Sequence, residues 1–166
     1  MQENVECASG SATSSGGKVD PVALWKKISV FSVDVKGAVY PLSARLSDEQ
    51  DWTPEFTALA IEEYKRFMYL AAVAGHPVTP SHVVDEVWHM HLIYTRSYWE
   101  ELGDIIGRLI HHDPGTGGQG DQSKFLAQYH RTLDSYRKHF GEDAPDEIWG
   151  AHNHQRVLPK GRRTIK

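Results

Sequence analysis

Sulfur chemistry is nearly absent from this chain. Its 166 residues contain one cysteine, Cys7, which excludes an internal disulfide framework and any cysteine-rich zinc ribbon. A metal held here is held by nitrogen and oxygen. No apolar run approaches the ~18 residues that a membrane span needs, and residues 1–18 lack the basic-then-apolar order of a secretory signal; cytoplasmic residence is the default expectation. Basic charge is also short: 18 Lys and Arg against 22 Asp and Glu leave a formal net charge of -4. A phosphate-backbone binder normally carries the opposite balance, so no nucleic-acid partner is expected. There is no Gly-x-Ser-x-Gly elbow to carry a serine nucleophile. The glycine-rich stretch at 114–120 is not followed by Gly-Lys-Ser/Thr and is no P-loop.

What the chain has is helix punctuation. Residues 8–17 are a Ser/Gly stretch that cannot bury enough surface to order itself, so 1–18 reads as a flexible tail. Residues 151–166 read as a basic tail, and the helical domain spans 19–150. Within it, Asp20-Pro21 caps a helix to about Val30. Tyr40 to Glu49 holds a short one, with Leu42 and Leu46 four apart, and the stretch between them is either extended or loop. Thr53-Pro54 opens the strongest helix, striped by Phe56, Leu59, Ala60, Tyr64, Phe67, Met68 and Ala71 and closed by Gly75. Thr79-Pro80 opens another, expected to run to Leu102 and stop at Gly103. A last helix begins at Asp121 or Ser123 and ends at Gly141. The expected fold is all-α, one compact bundle of four to five helices with a glycine-rich loop at 114–120 that could lie over the histidines as a lid or simply be slack.

Histidine is the residue type that stands out. Val84-Asp85-Glu86-Val87-Trp88-His89-Met90-His91-Leu92 is followed by Leu109-Ile110-His111-His112-Asp113-Pro114, and imidazole is the commonest metal-binding side chain. Asp85 and His89, four apart, share a helix face with Arg96. His89 and His91 lie roughly 200° apart by the ~100° step of a helix. An undistorted helix cannot aim both at one ion. Adjacent side chains in a loop diverge likewise, so one of His111 and His112 faces inward. The candidate ligands of a divalent ion (zinc, iron or copper) are His89, His91, His111 and His112, with Asp85 as a further ligand or as the carboxylate that orients a histidine. Asp85, Glu86 and Arg96 are the candidates for proton handling or for pairing with an anionic substrate. The competing reading is a buried polar network in which the histidines pin helix to loop.

These residues also carry a resemblance. Glu63-Tyr64-Lys65-Arg66-Phe67, the Trp88-His89-Met90-His91 helix and the His111-His112-Asp113-Pro114 run resemble the glycine-rich-domain-like family, and Gln128-Tyr129, Tyr136, Phe140-Gly141 and Ile148-Trp149 are similar to its short bacterial form. The likeness covers roughly 40–150. It implies matching histidine positions at 89, 91, 111 and 112 and no defined activity; plant members join this region to other modules that these 166 residues do not hold, so no nucleic-acid role comes with it. Three functions stay open: a metalloenzyme activating water or dioxygen on a small molecule, a non-catalytic metal- or ligand-binding module, and an interaction domain with structural histidines.

Overall fold

The computed structural model describes residues 20–113 and 121–150. The tails expected at 1–18 and 151–166 and the glycine-rich 114–120 segment lie outside the described residues. Helix α1 (Pro21–Val30) begins where the Asp20 carboxylate accepts from the Val22 amide at 3.0 Å, with Pro21 at a position that needs no amide. The segment after it is irregular. Val33 turns inward while Val35 and Val39 face solvent. Asp34 accepts from both the Ser43 amide, at 2.8 Å, and the Ser43 hydroxyl, at 2.7 Å, which fixes the entry to α2 (Leu42–Gln50).

Helix α3 (Pro54–Val73) is the axis of the bundle. Thr53 caps it through Phe56, and it packs against α1, α2, α4 and α6. Surrounded in this way, it buries polar positions along with its apolar stripe, Glu63 among them. That carboxylate accepts from the Trp149 indole at 2.8 Å and from the Tyr136 hydroxyl at 3.2 Å. Burial still holds its pKa above the ordinary range, against those two donors and Arg66. The bond ties α3 to α6 (Asp121–Phe140) and to a four-residue helix, α7 (Asp146–Trp149), that the sequence pattern did not reveal. The all-α expectation holds: no strand occurs among the described residues, and the five longer helices, α1 to α4 and α6, build the bundle.

The fourth helix departs from expectation. It starts at His82, not at Thr79-Pro80, because Ser81 is the cap, accepting from the Val84 amide at 3.2 Å. Thr79 is used elsewhere: its amide donates to the Thr132 hydroxyl on α6. Helix α4 (His82–Ile93) then ends at Tyr94, whose ψ of 63° leaves the helical region. The chain rewinds as a π-helical segment, Arg96–Leu102, and passes into α5 (Gly103–Ile106). Gly103 is an ordinary helical residue. The stop falls at Gly107, whose φ of +77° a β-carbon would strain.

Candidate metal centre

The break at Tyr94 determines which histidines meet. Ser97 and Tyr98, at the start of the π-helical segment, turn back under α4. The Ser97 hydroxyl lies 3.0 Å from His91 Nε2, and the Tyr64 hydroxyl lies 2.8 Å from His91 Nδ1. His91 is fully buried, with Phe31, Tyr64 and Tyr98 rings around it. Desolvation pushes its pKa down to about 4, so it is neutral at pH 7. Both ring nitrogens are taken by hydroxyls, so the expected ligand role of His91 is not where the structure puts it. This histidine joins α3, α4 and the π-helical segment.

Tyr98 does a second job. Its hydroxyl accepts from the Trp88 indole N–H at 2.8 Å and donates to the Ile110 carbonyl. One buried oxygen therefore fixes the 108–113 chain against α4. Two residues beyond Ile110, the His112 ring comes to 4.3 Å from Trp88 and 4.6 Å from His89. His112 Nε2 lies 2.8 Å from Asp85 Oδ1, and His89 Nε2 lies 3.8 Å from Asp85 Oδ2. Asp85 and His89 share a face of α4, and His112 closes the group from the far chain. Tyr98 reads in the sequence as one more aromatic in a helical stripe; nothing in the spacing shows that its hydroxyl anchors the second histidine.

One ligand-type atom from each of Asp85, His89 and His112 lies within 4.8 Å of the others. Ligands at ~2.1 Å around a tetrahedral ion sit ~3.4 Å apart, so the three would have to draw closer to coordinate one ion. Exposure is graded, with His112 at 16%, Asp85 at 29% and His89 at 52% of the side chain. The hydrogen bond to Asp85 raises the pKa of His112 above the usual imidazole value, partly opposed by desolvation. A proton occupies that line. A cation would have to displace it.

The remaining expected residues lie apart from this group. His111 is exposed and its ring faces Trp99 at 5.8 Å. Glu86 points to Gln50 (2.9 Å) and His82 (3.4 Å). Arg96 does not reach Asp85: the break at Tyr94 shifts the helical phase, and Arg96 pairs with Glu100 at 3.7 Å on the surface. The three grouped residues line an open cleft of about 1250 Å³. Its walls include Phe67, Trp88, Leu109 and Phe125.

No family model matches this chain, and no solved structure matches it. It is similar to two plant proteins of Arabidopsis thaliana. Glycine-rich domain-containing protein 1 is 26% identical over 91 residues and protein 2 is 26% identical over 93 residues. Each match covers 52% of this chain but only 11% and 12% of the plant proteins. The chain thus matches about a tenth of the length of these relatives, and the likeness supports a glycine-rich-domain-like relationship.

Proposed function

We propose that Asp85, His89 and His112 hold one divalent cation and that the site is catalytic toward a small molecule bound in the adjoining cleft. The observation that carries this reading is the convergence of two imidazoles and one carboxylate from separate parts of the chain at the wall of a cleft. Two imidazoles and a carboxylate suit zinc or ferrous iron better than copper. A three-ligand set leaves coordination positions open, as a catalytic site requires. When bound, such a cation lowers the pKa of a coordinated water or supports dioxygen chemistry. Before a cation arrives Asp85 orients His112 through their hydrogen bond, Trp88 covers the inner side of the group, and half-exposed His89 faces the opening. Within the glycine-rich-domain-like relationship, we read the chain as the short bacterial-type form with Trp-His-x-His and His-His motifs.

A second reading rests on the short His112–Asp85 contact. A proton satisfies that pair without any ion, so the group can serve as a non-catalytic clamp between α4 and the 108–113 chain. Elemental analysis of untagged protein decides between them. The metal reading expects about one zinc or iron per chain after reconstitution, lost in His89→Ala and His112→Ala. Metal content below a tenth per chain, unchanged by those substitutions, supports the clamp.

A further inference from the structure

Most arginines of the bundle are matched. Arg45, Arg66, Arg96 and Arg137 each face a carboxylate. Arg131 and Arg108 do not, among the described residues, and of the two it is Arg108 that lines the cleft. Its Nη2 donates to the carbonyls of Ala71 and Ala72 at the end of α3, and the side chain lines the cleft that holds Asp85, His89 and His112. A guanidinium has five N–H donors, so these contacts hold its position without exhausting it. A charged fork fixed in advance loses little freedom when an anion arrives.

The surroundings have the same polarity. Lys124 lines the cleft and makes no ion pair among the described residues. Ser81 and His82 bring the positive end of α4 to it. Two carboxylates oppose them, Asp85 and Asp113, and the first is engaged by His112. This surplus of donors occurs in a chain whose net charge is -4. Leu109, also on the cleft, is half exposed, and Phe125 and Trp88 supply further apolar wall.

We infer that the cleft takes small carboxylic acids with an apolar or aromatic body, the carboxylate received by Arg108 and the body laid against Leu109 and Phe125. The guanidinium donors that the two carbonyls leave over can receive one carboxylate through charge-assisted N–H···O bonds. The inference deepens the proposed catalytic reading by naming its substrate class, and its anion-binding half is measurable without a metal.

The test uses the full chain, treated with EDTA or loaded with zinc, and follows binding by NMR. The probes are 3-phenylpropionate, its neutral amide and phenyl phosphate. The acid is expected to bind at least ~10-fold tighter than the amide, the worth of a charge-assisted hydrogen bond, with shifts at Leu109 and Phe125. Arg108→Gln, which removes the charge and keeps a polar side chain, is expected to abolish that preference. Arg96→Gln makes the same charge change away from the cleft and is expected to keep it. Equal binding of acid and amide, an unchanged ratio in Arg108→Gln, or tighter binding of phenyl phosphate overturns the inference. The two readings fail separately. A protein that takes up no zinc refutes the metal centre, while the acid-to-amide ratio in EDTA still decides the carboxylate site.

Discussion

Helix α4 carries two histidines two residues apart that ended in opposite circumstances. His91 points into the bundle, has no exposed surface, and meets a hydroxyl at each ring nitrogen. His89 points into the cleft, is half exposed, and lies 3.8 Å from Asp85 and against the ring of His112. The same side chain in the same motif is a structural joint on one face and a candidate ligand on the other. The deciding property is whether a ring nitrogen remains that the protein itself has not already bonded.

The comparison is broken most directly by truncating each histidine. His91→Ala removes a buried ring and leaves the Tyr64 and Ser97 hydroxyls without their partner, which should cost about 3–4 kcal/mol. His89→Ala removes a half-exposed ring and should cost under ~1 kcal/mol. Urea unfolding monitored by far-UV circular dichroism measures both. Similar losses in the two variants would mean that the faces of α4 are not energetically distinct.

Acid sharpens the contrast. The pKa of His91 falls from 6.5 to about 4 on burial. Between those values the unfolded chain binds a proton that the native chain refuses, so stability rises with pH across the window. The contribution is complete above pH 6.5 and lost as pH falls through about 4. At ~1.4 kcal/mol per unit it is on the order of 3 kcal/mol. Burial and Lys138 also lower the pKa of His139, so the informative quantity is the difference between wild type and His91→Gln. That substitution should flatten the dependence between pH 4 and 6.5. An unchanged slope would assign the effect to other groups.

How much of this was legible depends on whether a feature is local. Asp20-Pro21 and Thr53-Pro54 mark true helix starts, because a cap and a proline act within one turn. The opposite orientations of His89 and His91 follow from helical phase alone. Arg96 was misplaced because its position assumed a helix continuous through Tyr94, and the break there coincides with Ser97 and Tyr98 turning back under α4. Those partners are six and ten residues away, and no periodicity encodes a hydroxyl aimed at an imidazole. The start of α4 was misread for a related reason: Thr79-Pro80 has the form of a cap, but Thr132 on α6 takes the Thr79 amide. Helix α7 is too short to show a period, and Glu63 is what fixes its last residue, Trp149. Of the paired histidines at 111 and 112, sequence established only that their directions differ. The Tyr98–Ile110 bond accompanies the placement of His112 beside Asp85.

The cleft face is tested by zinc affinity, read by competition with a chromophoric chelator. His112→Ala, His89→Ala and Asp85→Asn should each weaken binding ~100-fold or more, since even residues that only orient a ligand cost 10- to 100-fold. His111→Ala, exposed and facing Trp99, should stay within about threefold. An equal loss at His111 would mean that the 108–113 chain adopts another orientation with metal bound.

Tyr98→Phe probes the joint between the two faces. The ring still fills the core, but the Trp88 N–H loses its acceptor and the Ile110 carbonyl its donor. The expected cost is about 1–3 kcal/mol, with zinc affinity down ~10-fold because His112 is no longer anchored. A loss of stability with zinc affinity intact would confine Tyr98 to the core and detach it from the site.

The smallest effect belongs to Arg96, one of the candidates that the structure places apart from the group. Arg96 is 83% exposed and 3.7 Å from Glu100. Arg96→Ala should change stability by no more than ~0.5 kcal/mol and leave zinc affinity unaltered. Its value lies in the phase of the helix. If α4 ran unbroken through Tyr94, Arg96 would continue the row of Asp85 and His89, and its removal would take a competing positive charge away from Asp85 and tighten zinc binding. A measurable change in zinc affinity in Arg96→Ala would therefore argue against the break at Tyr94, and with it against the route by which Tyr98 reaches Ile110.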